Sequence, residues 1–335
     1  MKALRALIAV LAVVVFGAVA ARLRLSHVEV VIPYAAYVLF LVGFSYRVLR
    51  WTWVPVPFRI TTTCGQQKSL PWIKPAPLDN PSTGWGVLGR MTLEVLFFRS
   101  LFRNSRARLQ NGRLAFREDR WLWLGALAFH WSLLVILLRH LRFFLQPVPA
   151  VVSNIARLDG VLHVGMPRPY ISDIIFAGAL TYLIARRLRD PMLRFVSLFS
   201  DYFILLLLLG IALTGLLMRF AARPDLIAIK EFGLSLAALH PVALPAASPI
   251  FLIHLMLVST LAGYFPASML MHMAGALLSP TRILANNSRA KRHVNPWNGP
   301  VVTRPYVEWE REFQDKMKAA GIPLEAGDAG KAVAD

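Results

Sequence analysis

Six apolar runs divide this sequence: Leu4–Ala21, Val30–Leu49, Trp121–Leu145, Ile171–Ala185, Val196–Met218 and Ile250–Leu278. A hydrocarbon core about 30 Å thick is crossed by roughly 20 apolar residues in a helix, which satisfies its own backbone polar groups. The runs therefore predict an all-α fold, a polytopic membrane bundle of about six transmembrane helices. A charged fraction of 16% agrees, since soluble domains carry about 25%. The fourth run is short and holds Asp173. The sixth is longer than a span needs and contains Pro266, which predicts a tilt or a kink. The first run, with Lys2 and Arg5 before it and Ala18-Val19-Ala20 at its end, also fits a signal peptide, but its length favours a retained helix.

The net charge of +19 invites a nucleic-acid reading, yet its distribution points elsewhere. On alternating sides of the spans, 28 of the 37 Lys and Arg residues fall in Met1–Arg5, Arg47–Arg120, Arg186–Arg194 and the chain after Leu278. By the positive-inside rule those segments, and both termini, are expected on the cytoplasmic side of the inner membrane. Trp51, Trp53, Trp121 and Trp123 then fall at the inner interface, where indoles are favoured. No zinc, RNA-binding or helix-turn-helix pattern accompanies the charge, so no nucleic-acid partner is expected beside the lipid bilayer.

The expected organisation is an N-terminal helix at 1–21, a second span at 22–51, a basic cytoplasmic loop at 52–120, a four-helix part at 121–280 and a tail at 281–335. Prolines at 55, 57, 71, 75, 77 and 81 exclude a continuous helix from the first half of the loop. In its second half Leu93, Phe97, Phe98, Leu101 and Phe102 alternate with Arg99, Arg103 and Arg106. That spacing predicts an amphipathic helix over 90–109, lying on the inner leaflet or against a partner. The tail from Asn286 reads as a peripheral extension.

Of eight histidines, four lie inside predicted spans: His130 and His140 on one run, His254 and His272 on another. Ionisable residues at membrane depth are costly and point to function. At a rise of about 1.5 Å per residue, His130 and His272 sit toward the inner side, His140 and His254 toward the outer. Eighteen positions return to one helix face, and ten place His130 and His140 on adjacent faces. Each level pair is suited to supply two axial imidazoles to a haem iron. One misfit remains, because ten residues rise about 15 Å and eighteen about 27 Å; straight helices cannot make both pairs level. Histidines bonded across helices, a proton relay and a haem-free transporter are the competing readings. A relay wants acidic partners, for which only Asp173 and Asp201 are on offer. With Cys64 as the one cysteine, neither a disulfide framework, an internal Cys-ligated cluster nor C-x-x-C-H haem attachment is available. Any haem is then of the non-covalent b type, two of them near opposite faces. Cys64 reads as an unreactive thiol in a reduced compartment.

The spacing His-x9-His on one helix and His-x17-His on a later one resembles the membrane gamma subunit of respiratory nitrate reductase, a dihaem cytochrome b that oxidises quinol near its outer haem. The resemblance carries over onto His130 with His272 for the inner iron and His140 with His254 for the outer. It covers roughly Val30–Pro280. The run Thr63-Cys64-Gly65-Gln66-Gln67-Lys68-Ser69-Leu70-Pro71-Trp72 and the following Met91–Arg103 segment look like a narrower relative, the cytochrome b subunit of the sulfite-reduction-associated Dsr transmembrane complex. That likeness implies quinol of the menaquinone type and a cytoplasmic iron–sulfur partner resembling the catalytic subunit of heterodisulfide reductase, with other Dsr-type membrane-complex subunits around it. It implies an electron-transfer subunit of a quinone-linked oxidoreductase, with no catalytic residue assigned. A gamma-type subunit with a nitrate-reductase-like partner is the alternative within the family. Candidates for a polar anchor at an outer quinone site are Arg142, His163 and Asp173. Arg120 and Arg282 are candidates for pairing inner haem propionates.

Overall fold

The computed structural model describes residues 1–25, 27–54, 74, 76–103, 105–162, 167–242, 248–286 and 302–325. The Thr63–Trp72 run with Cys64, and His163, lie outside the described residues.

The long apolar runs become helices α1 (Lys2–Arg22) and α2 (Val28–Thr52). After the proline-rich stretch come α3 (Gly84–Phe97), the short α4 (Arg99–Phe102), and a hairpin of β1 (Ser105–Gln110) and β2 (Arg113–Glu118). There follow α5 (Arg120–His140), α6 (Ala150–Asp159), α7 (Ile171–Arg189), α8 (Pro191–Val196), α9 (Phe199–Leu217) and α10 (Leu226–Ala237). The chain continues through α11 (Pro249–Tyr264), α12 (His272–Leu278), α13 (Pro280–Ile283) and α14 (Tyr306–Ala319). Side chains set several of these starts. Asp119 accepts from Leu122 N at 3.2 Å to begin α5, and Asp190 accepts from Met192 N at 3.0 Å to begin α8 with Pro191 in its first turn.

Among the described residues five segments are long and apolar enough to cross a membrane: Lys2–Arg22, Val28–Thr52, Arg120–Phe143, Phe199–Ala222 and Pro249–Ala267. The expected fourth span, α7, is too charged for that set because Asp173, Arg186 and Arg187 fall within it. It nevertheless packs between α5 and α9 as a full member of the bundle. The protein is an integral membrane helical bundle, with one small hairpin beside it.

The helices form an arc. Side by side stand α5, α7, α9 and α11, with α2 on the far flank of α11 and α1 in the groove between α9 and α11. Water drives no helix association inside lipid, so close approach has to come from small residues. At Gly17 on α1 a Cβ would lie 2.9 Å from the Cα of Ile253, and at Gly125 on α5 it would lie 2.6 Å from the ring of Tyr182 on α7. The apolar residues on the outer faces of α1 and α2 are exposed, as a lipid-facing surface requires.

Two predicted elements differ from what formed. The sixth run is not one helix: α11 stops at Tyr264, a 3-10 turn follows at Phe265–Ala267, Ser268 is extended, and a second 3-10 turn at Met269–Met271 leads into α12. Pro266 lacks an amide hydrogen and its ring collides with the preceding turn. The amphipathic helix expected over 90–109 ends at Phe97, because Phe98 turns left-handed with φ 50°. After α4 the chain enters the hairpin, whose turn residues Asn111 and Gly112 have φ 51° and 75°. Those are the values a tight two-residue hairpin demands.

The ends of the helices sort as the charge pattern predicts. Lys2 Nζ reaches Ser197 O at 2.9 Å, and Arg186 pairs with Asp119 at 2.6 Å, so segments assigned to one side lie at one end of the bundle. That end is called inner below, and the opposite end outer.

Candidate functional site

Across the arc, α5 and α11 do not pack along their lengths; α7 and α9 join them. The four span histidines lie on α5, on α11 and at the start of α12. At the inner end the rings of His130 and His272 meet edge to face, with centroids 5.9 Å apart and planes at 84°. Two imidazoles on opposite sides of one metal, each with a metal–nitrogen bond of about 2 Å, also have ring centres on the order of 6 Å apart. At the outer end His140 and His254 lie within electrostatic reach of one another. Between these levels Leu133 and Ile136 of α5, with Leu261 and Tyr264 of α11, pack on the buried cluster of Phe129, Phe176, Ala179, Leu180, Ile204 and Leu208. An apolar layer thus separates the pairs. The sixth segment is not a straight helix: continuous helix after His254 runs only ten residues, to Tyr264, before the turns that lead to His272 beside His130.

Every one of the four rings is held in the same way. Nδ1 of His130 lies 2.8 Å from Ala126 O, Nδ1 of His140 2.7 Å from Ile136 O, and Nδ1 of His272 2.9 Å from Met269 O. Carbonyls only accept, so Nδ1 carries the hydrogen and Nε2 keeps its lone pair. His254 Nδ1 lies 2.8 Å from Thr214 Oγ1, whose own hydrogen goes to Gly210 O at 2.8 Å; this hydroxyl therefore accepts as well. A ring fixed through Nδ1 with a bare Nε2 is the usual arrangement of a metal-ligating histidine. Among the described residues no group of three or more His, Cys, Asp or Glu side chains is placed to hold a metal. A haem iron needs only two protein ligands, since the macrocycle provides the rest, so the donor sets fit that group.

The end of α3 and the Phe98 turn pack on α5. Phe98 and Phe129 both meet the His130 ring edge-on, at 4.9 and 4.8 Å. Trp123 Nε1 donates to Phe97 O at 2.7 Å and Trp131 Nε1 to Leu96 O at 3.0 Å, tying the C-terminal end of α3 to α5. Arg99 and Arg103 both bond Asp79 at 2.5 Å, and these bonds hold its carboxyl at about 2, below the usual 3.8.

The outer end is built from charge. Arg139, 5% exposed, lies between Asp159, 3.0 Å from its Nε but off the line of a hydrogen bond, and Asp173, which accepts from Nη2. Asp159 also accepts from Ser172 N at 2.8 Å and Ser172 Oγ at 2.6 Å. The Tyr170 ring is covered by the guanidinium of Arg139 at 3.7 Å and that of Arg219 at 3.9 Å, and its hydroxyl accepts from Arg142 at 3.3 Å. Two sequence candidates, Arg142 and Asp173, therefore belong to one network beside His140, in which Asp173 is tied to Arg139. Reasoning from sequence missed Arg139, Asp159 and Tyr170; an arginine at a span end looks like an interface residue. Of the inner candidates, Arg282 lies 3.9 Å from Glu94, and Arg120 begins α5 with its side chain exposed.

Comparison with known proteins places these features in context. Residues 82–287 match the family model of the nitrate reductase gamma subunit. The chain is 44% identical over 276 residues to the Hdr-like menaquinol oxidoreductase cytochrome b-like subunit of Archaeoglobus fulgidus, covering 80% of this chain and 82% of that protein. To the protein of the same description from Archaeoglobus profundus it is 40% identical over 274 residues, covering 80% of this chain and 81% of the relative.

Proposed function

The chain belongs to the nitrate reductase gamma subunit family, and on that premise we propose that it is a dihaem b-type cytochrome carrying electrons between quinol and a cytoplasmic iron–sulfur partner. The observation that carries the reading is the common state of the four histidines: Nδ1 engaged, Nε2 bare, two rings at each end of one bundle. His130 and His272 would hold the inner haem, and His140 and His254 the outer. Each haem, when bound, supplies a one-electron iron couple within the bilayer.

The chain's own groups then divide the remaining work. Ala126 O, Ile136 O, Thr214 Oγ1 and Met269 O fix ring orientation and raise the basicity of Nε2. The apolar layer between the pairs keeps water and protons from the path. The hydrogen-bonding groups of Arg142, Tyr170 and Asp173 are concentrated at the outer end, where quinol oxidation must shed its protons. A quinol of the menaquinone type is favoured by the relatives' name, which also points to an Hdr-like assembly. We place the partner as an iron–sulfur subunit resembling the catalytic subunit of heterodisulfide reductase, in a Dsr-type complex of sulfur metabolism. Both termini are assigned to the cytoplasm and the protein to the cytoplasmic membrane by the distribution of basic residues.

Purified protein should contain two b haems per chain by pyridine haemochrome. His130→Ala or His272→Ala should remove one, His140→Ala or His254→Ala the other, each halving the reduced-minus-oxidised band. Haem-free protein from cells supplied with haem would overturn the reading, and four indistinguishable variants would overturn the pairing.

A further inference from the structure

Arg47 is a cation within α2, where an ionisable group is costly without a partner. Its partners are unusual. Nη1 donates to Pro266 O at 2.6 Å and reaches Ser268 O at 3.3 Å, two backbone carbonyls in the break between α11 and α12. Pro266 O lacks its helical donor because Ser268 is extended and Leu270 N bonds Ser268 Oγ instead. The rest of α2 is shaped to the same segment. Gly43, one turn before Arg47, leaves room for Pro266, since a Cβ there would lie 2.8 Å from the proline Cβ. Phe40 meets Phe265 edge-on at 5.3 Å.

From the break the order passes directly to the inner pair. Ser268 Oγ donates to Phe265 O at 2.8 Å and accepts from Leu270 N at 3.1 Å, setting the second turn. Within that turn Met269 O receives His272 Nδ1 at 2.9 Å. We infer that Arg47 is a positioning residue for His272: by binding the freed carbonyls of the break, it holds the turn that aims this imidazole at His130. The inference rests on the dihaem reading. It also assigns a role to α2, which lies outside the residues matched by the family model.

The test uses the full-length protein in detergent and reads the low-spin EPR signal and redox titration of each haem. Wild type should give two signals, with His130→Ala identifying the inner one. Arg47→Gln should shift or broaden that signal and move its titration, leaving the outer signal in place. Arg47→Lys, which keeps a single cationic donor, should fall between. Gly43→Ala, which displaces Pro266 with the charge intact, should move the same signal. Inner and outer signals both unmoved, or both moved alike, in Arg47→Gln would overturn the inference. If that variant does not accumulate, an unchanged inner signal in both Arg47→Lys and Gly43→Ala would overturn it. Loss of the dihaem reading is distinguishable, because wild type itself would then lack two signals.

Discussion

At the inner end of the bundle His130 stands among rings, with Phe98, Phe129 and His272 all within 6 Å between centroids. At the outer end His140 follows Arg139 in sequence and sits beside a network of three arginines, two aspartates and Tyr170. The two pairs share their means of orientation but not their surroundings. The ring contacts described for His130 are aromatic and bring no carboxylate to it, a setting that suits electron transfer. A charged, hydrogen-bonding setting suits a step in which electrons and protons part company. The contrast in environment thus supports the assignment of the quinol side on physical grounds, apart from any likeness to known proteins.

The most forceful way to break the contrast is to remove the cation that organises the outer end. Arg139→Met leaves Asp159 and Asp173 facing each other in a buried site, and deleting one member of such a set costs about 3–5 kcal/mol. The expected result is loss of the outer haem signal with the inner retained, read by EPR and haem content. Neutralising both acids with Arg139→Met/Asp159→Asn/Asp173→Asn should restore part of the outer signal, because the loss comes from uncompensated charge. Equal loss of both haems would show the network to be a support of the whole bundle, and the two ends would not be independent.

A smaller effect is expected at the inner end. Phe98→Ala removes one of the two rings flanking His130, and an aromatic contact of this kind contributes about 1 kcal/mol. The inner EPR signal should broaden as the imidazole gains freedom, with haem content unchanged and the outer signal fixed. No change at the inner signal would mean that α3 and α4 merely cover α5 without holding the ring.

The same two ends differ in how far sequence alone reveals them. Helices and histidine levels follow from hydropathy and spacing, because lipid imposes both length and the cost of a buried imidazole. Pro266 announces the break, so the eighteen-residue interval is not spanned by one straight helix. The hairpin turn is marked by Asn111-Gly112, a pair suited to positive φ, while the phenylalanine spacing over 90–109 mimics a helix that stops at Phe97. Nothing comparable marks the outer network. Arg139, Asp159 and Tyr170 are separated by up to thirty-odd positions and look like ordinary span-end residues until α6 folds against α5. Arg47 is hidden for the same reason, since its partners are backbone carbonyls that a continuous helix would have kept.

The weakest of the tests concerns how the loop is fastened to the inner end. Asp79 accepts from Arg99 and Arg103 on either side of the α4 turn that follows Phe98, and its carboxyl is held at about 2 by these bonds. A lowered carboxylate value means that the clamp contributes fully above the unfolded value of 3.8 and is lost only as pH falls through about 2. Between pH 5 and 8 it should therefore add no pH dependence to the inner haem. The pair is partly exposed, so screening limits its contribution to at most about 1 kcal/mol. Asp79→Asn should loosen the α4 turn, increasing protease cleavage in the loop two- to fivefold and altering the inner EPR signal less than Phe98→Ala does. A larger change at the inner haem than Phe98→Ala produces would mean that the clamp, rather than the aromatic contact, sets the position of His130, and the inner end would then depend on charge as the outer one does.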